Sequence, residues 1–575
     1  MFDNLELPSV DPATPADEVI KMLTRPGMPF ETKVEEIEGN PYTVFAHQPA
    51  TLREAFMMFL AHGDKEFMVY GDDRITFKDA VARASQFAQA LVADYGLEAG
   101  DRVALNMRNY PEWPIAFMGI VAAGGIAVVM NAWWTVEEID WAMKDSGAKL
   151  AVVDGERAAR TLSLGNAADL QIIVARDAAP EAVNVKAFAD VIAGKPALSW
   201  PAVEVGSDDA AMILYTSGSS GFPKGAVSSH RAVVGVLMTW VCIALSLKML
   251  GRLNPDPDFQ PIMLVAVPFF HVTGLMPVLF VSATIGRKLV LMHKWDVEEA
   301  FRLIEKEGVT TFTGVPMMSY EMAASKRRGD YDLSTLNDIG GGGAARPPEH
   351  VRLIKEAFPD ANPGIGYGLT ETTSLGAVLS AEEYIERPTS TGRPTPPLVE
   401  VKILCPVKGA EQPAGEPGEV CIRSSTNIRE YWNNPEATAR AFRNGWFHTG
   451  DVGYLDDEGY LYIVDRLKAI IIRGGENISS LEVEGVLHAH EVVDDVMVFS
   501  LPDERLGELV GAVASVNADI TEDDLKAEVA KHLAGFKVPE KIWITRDPLP
   551  LIASGKIDRK GIKEQYRGLW AAEKA

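Results

Sequence analysis

The sequence predicts an α/β protein of more than one domain, and three observations carry that prediction. Short apolar runs alternate with amphipathic helical stretches from about residue 51 to 155, the signature of a parallel sheet with helices on both faces. Near residue 390 the texture changes to shorter strands and turns, which predicts a small β-rich subdomain. At 575 residues the chain exceeds one ordinary core, and the stretch of about 110 residues that begins near 466 is long enough for a separate α/β domain.

Each element has its own justification. "TLREAFMMFLAHG" opens with Thr51 and Glu54 at capping-box spacing and stops at Gly63. "KDAVARASQFAQAL" puts Val81, Ala84, Ala88 and Leu91 on one helical face. "RVALNM" and "IAVVMN" read as strands separated by the helical "PEWPIAFMGIVAAGG". "TVEEIDWAMKDSG" repeats the Thr/Glu cap, and "KLAVVD" reads as a buried strand. Further on, alternation resumes with "IMLVAVPFF", "RKLVLM", the helix "DVEEAFRLIEKEG" and "VTTFTGVP". "GEVCIRS" and "GYLYIVD" are strands of the β-rich stretch, and the last unit holds "KAIIIRGGEN" and the helices "SSLEVEGVLHAH" and "TEDDLKAEVAKHL".

Composition narrows the function. Hydrophobic content of 47% and charged content of 23% fit a globular protein, and a net charge of −25 disfavours nucleic acid and anionic membrane as non-specific partners. An anionic ligand then needs a local cluster of Lys, Arg or backbone N–H groups. Cys242, Cys405 and Cys421 are widely spaced, offer neither a disulfide framework nor metal-ligand spacing, and suit a reducing cytoplasm. The acidic "MFDNLELPSVDPATPADEV" has no signal-peptide pattern. Residues 261–286 carry no Asp, Glu, Lys or Arg over a membrane-spanning length. They also contain Pro268, His271, Gly274 and Pro277, which fit a buried strand, turn and helix better than a span. The expectation is a cytoplasmic protein, with peripheral membrane contact left open.

The richest motif is "YTSGSSGFPKGA", which follows the apolar "AAMIL". Gly218, Gly221 and Gly225 let successive N–H groups face one ligand, Thr216, Ser217, Ser219 and Ser220 add hydroxyls, and Lys224 adds a mobile charge. That set suits nucleotide phosphates, although a flexible surface turn shares the composition. Lys224 follows Pro223, and no Ser or Thr comes next, so the motif is not a Walker A loop, and kinase-like and GTPase-like readings lose support. "DIGGGGAA" and "GIGYGLTET" each put glycines after an apolar strand; the second adds Tyr367 for stacking on a base and Glu371, a hard oxygen ligand for Mg²⁺. Each of these also suits a tight turn. Asp451 of "WFHTGDVG" can accept two ribose hydroxyls or sit in a turn. Arg466, Lys468 and Arg473 mark the domain junction, and Lys556 lies in "SGKIDRK", where a lone lysine is ordinarily a surface group.

Taken in this order, the clusters resemble the adenylate-forming superfamily of acyl-CoA synthetases, luciferases and peptide-synthetase adenylation domains, and look most like bacterial fatty-acid–CoA ligases. The matching residues are "YTSGSSGFPKGA", "PFFHVTGL", "GGGAA", "GYGLTET", "HTGDVGYLDDEGYLYIVDRLKAIIIRGGENI" and "SGKIDR", covering about 50 to 560. The resemblance implies an α/β fold with a large amino-terminal domain of two parallel-type sheets, flanking helices and a small β subdomain. A small mobile α+β lid follows. The implied boundaries are 1–466, with the β-rich subdomain at about 390–465, and 467–575 for the lid.

The same likeness implies two half-reactions: a carboxylate attacks the α-phosphate of ATP to give an acyl-adenylate and pyrophosphate, and the thiol of coenzyme A then displaces AMP. By resemblance, Thr216, Ser217, Gly218, Ser219, Ser220, Gly221 and Lys224 hold the triphosphate. Gly342, Gly343, Ala344, Gly366, Gly368 and Leu369 line the adenine pocket, with Tyr367 stacking; Thr370 contacts phosphate and Glu371 holds Mg²⁺. Asp451 takes the ribose, Arg466 sits by ribose and phosphate, and Lys556 bridges carboxylate and α-phosphate. Lys468 matches the hinge, Gly474, Gly475 and Glu476 the face that meets coenzyme A, and His271 the carboxylate and thiol tunnel, where a packed core histidine is the competing reading. Three departures stand out: Ser219 and Ser220 replace the usual threonines, Leu551-Ile552 often reads Arg-Thr, and Ser480 stands where proline is frequent.

Glycine after Tyr367, where acetyl-CoA synthetases have tryptophan, removes an acetate-restricting wall. The apolar "WVCIALSL", "PFFHVTGLMPVLF" and "GVPMMSY" suit a medium- or long-chain fatty acid, with an aryl-alkanoic or other bulky acid as the alternative. A fatty-acyl-AMP ligase, a peptide-synthetase module and a non-catalytic nucleotide sensor are the rivals; Glu371 and Lys556 speak against the sensor. The expected assembly is a monomer or homodimer.

Overall fold

Two large sheets form the body of the molecule. The computed structural model describes residues 8–574 except 217–222, 407, 468, 474–475, 504 and 553–555, with the backbone alone at 476 and 477. In the first sheet the strands Ala210–Thr216, Ile126–Val129, Arg102–Asn106, Leu150–Asp154, Gln171–Ala175 and Val185–Ala187 run parallel in that spatial order. Beyond Ala210–Thr216 the sheet ends antiparallel, with Lys224–Ser229 and then Glu430–Tyr431 at the edge. The second sheet carries Asn362–Tyr367, Asp338–Gly341, Thr311–Gly314, Ile262–Val265 and Lys288–Leu291 in parallel. Glu66–Tyr70 and Asp73–Thr76 close its far edge although they precede every strand of the first sheet in sequence.

The expected periodicities appear as burial. Val81, Ala84, Ala88 and Leu91 of helix Phe77–Tyr95 are fully buried. All five residues of strand Leu150–Asp154 are buried as well. Thr135 and Glu138 form the reciprocal capping box, and Gly147 ends that helix in the left-handed region. At Thr51 the expected box does not form. Leu52 N–H donates instead to His230 Nδ1 at 3.2 Å, and Glu54 accepts from Ala50 N–H at 2.8 Å. This helix starts inside the protein, where burial lowers His230 to about 4 and keeps its imidazole neutral, able to accept.

Residues 261–286 form strand Ile262–Val265, a turn, a wide π-helical segment Gly274–Phe280 and helix Val281–Ile285. Pro277 lies inside the π-helical segment, where its missing N–H removes a ladder bond. The 20-residue helix His230–Met249 is apolar enough to cross a membrane by composition, but 67% of its most apolar window is buried within the protein. It shares one core with the 274–285 segment through Val233, Val236, Leu237, Leu275, Met276 and Phe280. Met318 of "GVPMMSY" packs instead with Leu264, Phe312 and Ile339 in a different core.

A smaller antiparallel sheet follows, made of Glu400–Leu404, Gly418–Arg423, Trp446–Leu455 and Leu461–Arg466, with the short Phe442–Arg443. The carboxy-terminal domain has its own sheet, centred on the long hairpin Val493–Asp503 and Gly507–Val516, and its own core including Val483, Leu487, Val498, Val510 and Leu525. The large amino-terminal and small carboxy-terminal domains of the sequence prediction are both present.

Candidate active site

Three groups of side chains meet where the two sheets and the small domain converge. In the first, Thr216 and Lys224 face each other across an antiparallel hairpin, and the loop between them, with Ser217, Gly218, Ser219, Ser220 and Gly221, lies outside the described residues. The Lys224 ammonium stands 5.2 Å from the centre of the Tyr431 ring. The Tyr431 hydroxyl donates to Glu371 Oε1 at 2.7 Å. Glu371 belongs to the short turn Thr370–Thr372, and its carbonyl accepts from Ile428 N–H at 2.9 Å. Ser228 and Thr373 hydroxyls, 3.1 Å apart, tie that turn to the strand carrying Lys224.

The second group is set by strand register. Asp451 and Arg466 are direct cross-strand partners, and Arg466 Nε lies 2.9 Å from Asp451 Oδ1. The Tyr367 hydroxyl donates to Asp451 Oδ2 at 2.7 Å. Burial raises the Asp451 carboxyl while Arg466 and Tyr367 pull it down, and burial with the Asp451 charge pushes the Tyr367 phenol up. Just before Asp451, His448 Nδ1 lies 2.8 Å from Glu419 Oε2 and 3.5 Å from Cys421 Sγ. Burial and Glu419 push the Cys421 thiol up to about 12, so it keeps its proton, and the trio ties strand Gly418–Arg423 to strand Trp446–Leu455 just before Asp451.

The third group joins the glycine-rich strand ends to the small domain. Gly342 and Gly366 bridge adjacent parallel strands at their carboxyl ends, where ligands of open α/β sheets bind. Gly343, Ala344 and Gly366 are exposed. At Gly368 a Cβ would meet the Ser374 carbonyl at 2.0 Å, so only glycine passes before Leu369 and Thr370. Gly343 has φ +76°, and a Cβ there would lie 3.5 Å from Lys556 Nζ and 3.7 Å from Thr273 Oγ1. Lys556 therefore reaches the glycine-rich strand end from the other domain. Its side chain stays solvent-exposed, but the recess around its tip and the Arg466 charge hold its ammonium below the ordinary lysine range.

His271 sits beside this lysine. Burial, with the Lys556 charge adding to it, lowers its imidazole to about 3, and its buried Nε2 has no hydrogen-bond partner among the described residues. The ring is thus neutral and offers one uncommitted nitrogen.

Domain position is held by buried polar contacts. The Ser479 hydroxyl donates to the Val464 carbonyl at 2.7 Å, and the Ser480 N–H and hydroxyl both donate to Asp465. Proline at 480 would supply neither donor, which explains what that departure does. Lys468, Gly474 and Gly475 lie outside the described residues, as does the Glu476 side chain. Sequence reasoning missed Tyr431 and Thr273: Tyr431 has no local signal, whereas Thr273 stood two residues from His271 in a quoted motif.

Comparison with known proteins identifies the family. The profile of the AMP-binding enzyme family matches residues 59–432, and that of the AMP-binding enzyme C-terminal domain matches residues 482–556. A long-chain-fatty-acid–CoA ligase, FadD13 of Mycobacterium tuberculosis, is 34% identical over 86% of this chain and 94% of its own. A feruloyl-CoA synthase from Amycolatopsis is also 34% identical, over 86% and 95%. Among solved structures, a Mycobacterium tuberculosis fatty acyl CoA synthetase is similar at TM-score 0.69 and 30% identity, covering 90% of this chain and 99% of its own. ATP-bound MatB from Rhodopseudomonas palustris is similar at TM-score 0.78 and 26% identity, with the same coverage.

Proposed function

This chain belongs to the AMP-binding enzyme family and is an AMP-forming acyl-CoA ligase, and from that premise we propose that its acid is a medium- or long-chain fatty acid. The observation that carries the substrate reading is the apolar wall that flanks His271. Phe270 and Val272 pack in one core with residues 233–237 and 275–283, segments that contain no charged side chain. Such a wall suits an alkyl chain. A bulky aromatic acid is the second reading, favoured by the feruloyl-CoA synthase relative at equal identity.

In the proposed reaction, the acid's carboxylate lies between His271 and Lys556 and attacks the α-phosphate of ATP. Neutral His271 adds no charge of its own, and the Lys556 ammonium offsets the negative charge that grows on the reacting phosphate. Lys224 and the 216–221 loop hold the phosphates that leave as pyrophosphate, and Asp451, Arg466 and Tyr367 hold the ribose and adenine. Glu371 fits a magnesium ion: it is a hard carboxylate with one oxygen fixed by Tyr431, and its other oxygen has no side-chain donor among the described residues. When bound, the ion would supply charge neutralisation on the phosphates. For the thiol step, the domain from 467 rotates about Lys468, withdraws Lys556 and brings Gly474, Gly475 and Glu476 toward coenzyme A.

AMP formation by the purified protein with ATP, Mg²⁺ and a graded panel of acids, with and without coenzyme A, tests this. Coenzyme-A-dependent turnover that rises with alkyl length supports the fatty-acid reading. A maximum on ferulate-type acids replaces it with the second reading.

A further inference from the structure

Tyr431 is 7% exposed and occupies a two-residue strand that departs from its sequence neighbours to pair with the strand carrying Lys224. Ala226 is its direct cross-strand partner, and Trp432 N–H donates to the Gly225 carbonyl at 2.7 Å. From the other side its N–H donates to the Thr438 hydroxyl at 3.0 Å, while Trp432 Nε1 donates to the Asp145 carbonyl at 3.0 Å. The backbone at Tyr431 is thus fixed on both sides. Its ring has two ends of different chemistry: Lys224 lies 5.2 Å from the centroid, and the hydroxyl donates to Glu371 at 2.7 Å.

We propose that Tyr431 is a positioning residue for adenylation, a rigid spacer that orients the Glu371 carboxylate toward a divalent cation on the ATP phosphates and shelves the Lys224 ammonium at a set distance from it. The inference rests on the reading of Glu371 as the carboxylate for that cation.

The physical reason is pre-organisation. Glu371 lies in a turn of three residues, too short to fix a long side chain by itself. The phenol occupies one carboxylate oxygen, the Ile428 N–H holds the backbone carbonyl, and the other oxygen is directed by default. Hydrogen bonds to a ligating carboxylate tune its geometry in this way, and their loss costs about tenfold to a hundredfold in metal affinity. On the ring face, the ammonium is drawn by the aromatic quadrupole and kept from pairing with the carboxylate it would otherwise meet. Two cationic centres destined for the same phosphates are thereby held apart without neutralising the acid between them. A purely structural tyrosine would fill the space among Ala226, Ile428 and Ala437 equally well as phenylalanine.

The test is calorimetric binding of α,β-methylene-ATP to the full-length protein in excess Mg²⁺ and in EDTA, for wild type, Tyr431→Phe and Tyr431→Leu. Wild type is expected to bind more tightly in Mg²⁺. Tyr431→Phe is expected to lose about tenfold of that affinity in Mg²⁺ only, with the EDTA value and the thermal midpoint unchanged. Tyr431→Leu is expected to add a loss of roughly threefold in EDTA, because the shelf for Lys224 goes as well. Equal weakening of Tyr431→Phe in both buffers, or in neither, overturns the carboxylate role. An EDTA affinity for Tyr431→Leu equal to that of Tyr431→Phe overturns the spacer role. A wild type that does not tighten in Mg²⁺ overturns the reading of Glu371 and this inference with it.

Discussion

On the body side of the cleft, Asp451 is 3% exposed and accepts from two partners, Tyr367 at 2.7 Å and Arg466 at 2.9 Å. On the side of the small domain, Lys556 arrives as an exposed side chain whose tip reaches the Gly343 turn. The body builds its site from strand ends and cross-strand pairs, so its geometry belongs to the sheets. The small domain contributes a group whose position belongs to the domain, and the domain is held by contacts such as Ser480 to Asp465. Asp451, Tyr367 and Arg466, which hold the AMP part of the nucleotide, should therefore act in both half-reactions, and Lys556 in one.

The largest expected effect is the one that can break this comparison. Lys556→Ala should slow adenylation by about 10²–10³-fold. Thiolation of a supplied acyl-adenylate should stay close to wild type, as single-turnover assays of each step can read; equal loss in both steps would end the distinction. The same lysine sets a pH limit. Desolvation of its tip, with the Arg466 charge, holds its ammonium below the usual lysine range, so adenylation should fall as pH rises through that lowered pKa, earlier than an unperturbed lysine would dictate. Lys556→Arg should move the alkaline limb upward, and an unmoved limb would assign it to another group.

Next in size, Asp451→Ala removes an acceptor shared by two donors, at about 2 kcal/mol. It should weaken ATP binding while leaving the KM for the acid unchanged, and an effect on the acid instead would detach Asp451 from the nucleotide side. The smallest effect sharpens the picture of the domain contact. Proline is tolerated in the first turn of a helix, so Ser480→Pro removes only the two donors to Asp465, worth about 0.5 kcal/mol each. The ratio of adenylation to thiolation rates should drop by a few-fold with helix content preserved. A ratio identical to wild type would mean that other contacts hold the domain.

What the sequence determined by itself was everything local. The buried faces of Phe77–Tyr95, the Thr135–Glu138 cap, the strand-turn-helix character of 261–286 and the order of the glycine-rich motifs follow from neighbours within a few residues, where helical and strand periods are set. Tertiary structure decided the rest. Only the fold sends the hairpin of Glu66–Tyr70 and Asp73–Thr76 to the edge of the second sheet, caps Leu52 with His230 and gives Met318 a core apart from the helix His230–Met249. It alone lays Tyr431 between Lys224 and Glu371, 207 residues from the one and 60 from the other (431 − 224 and 431 − 371). A two-residue edge strand carries no period to read, and which sheet edge it joins depends on backbone donors and acceptors left unpaired elsewhere in the chain.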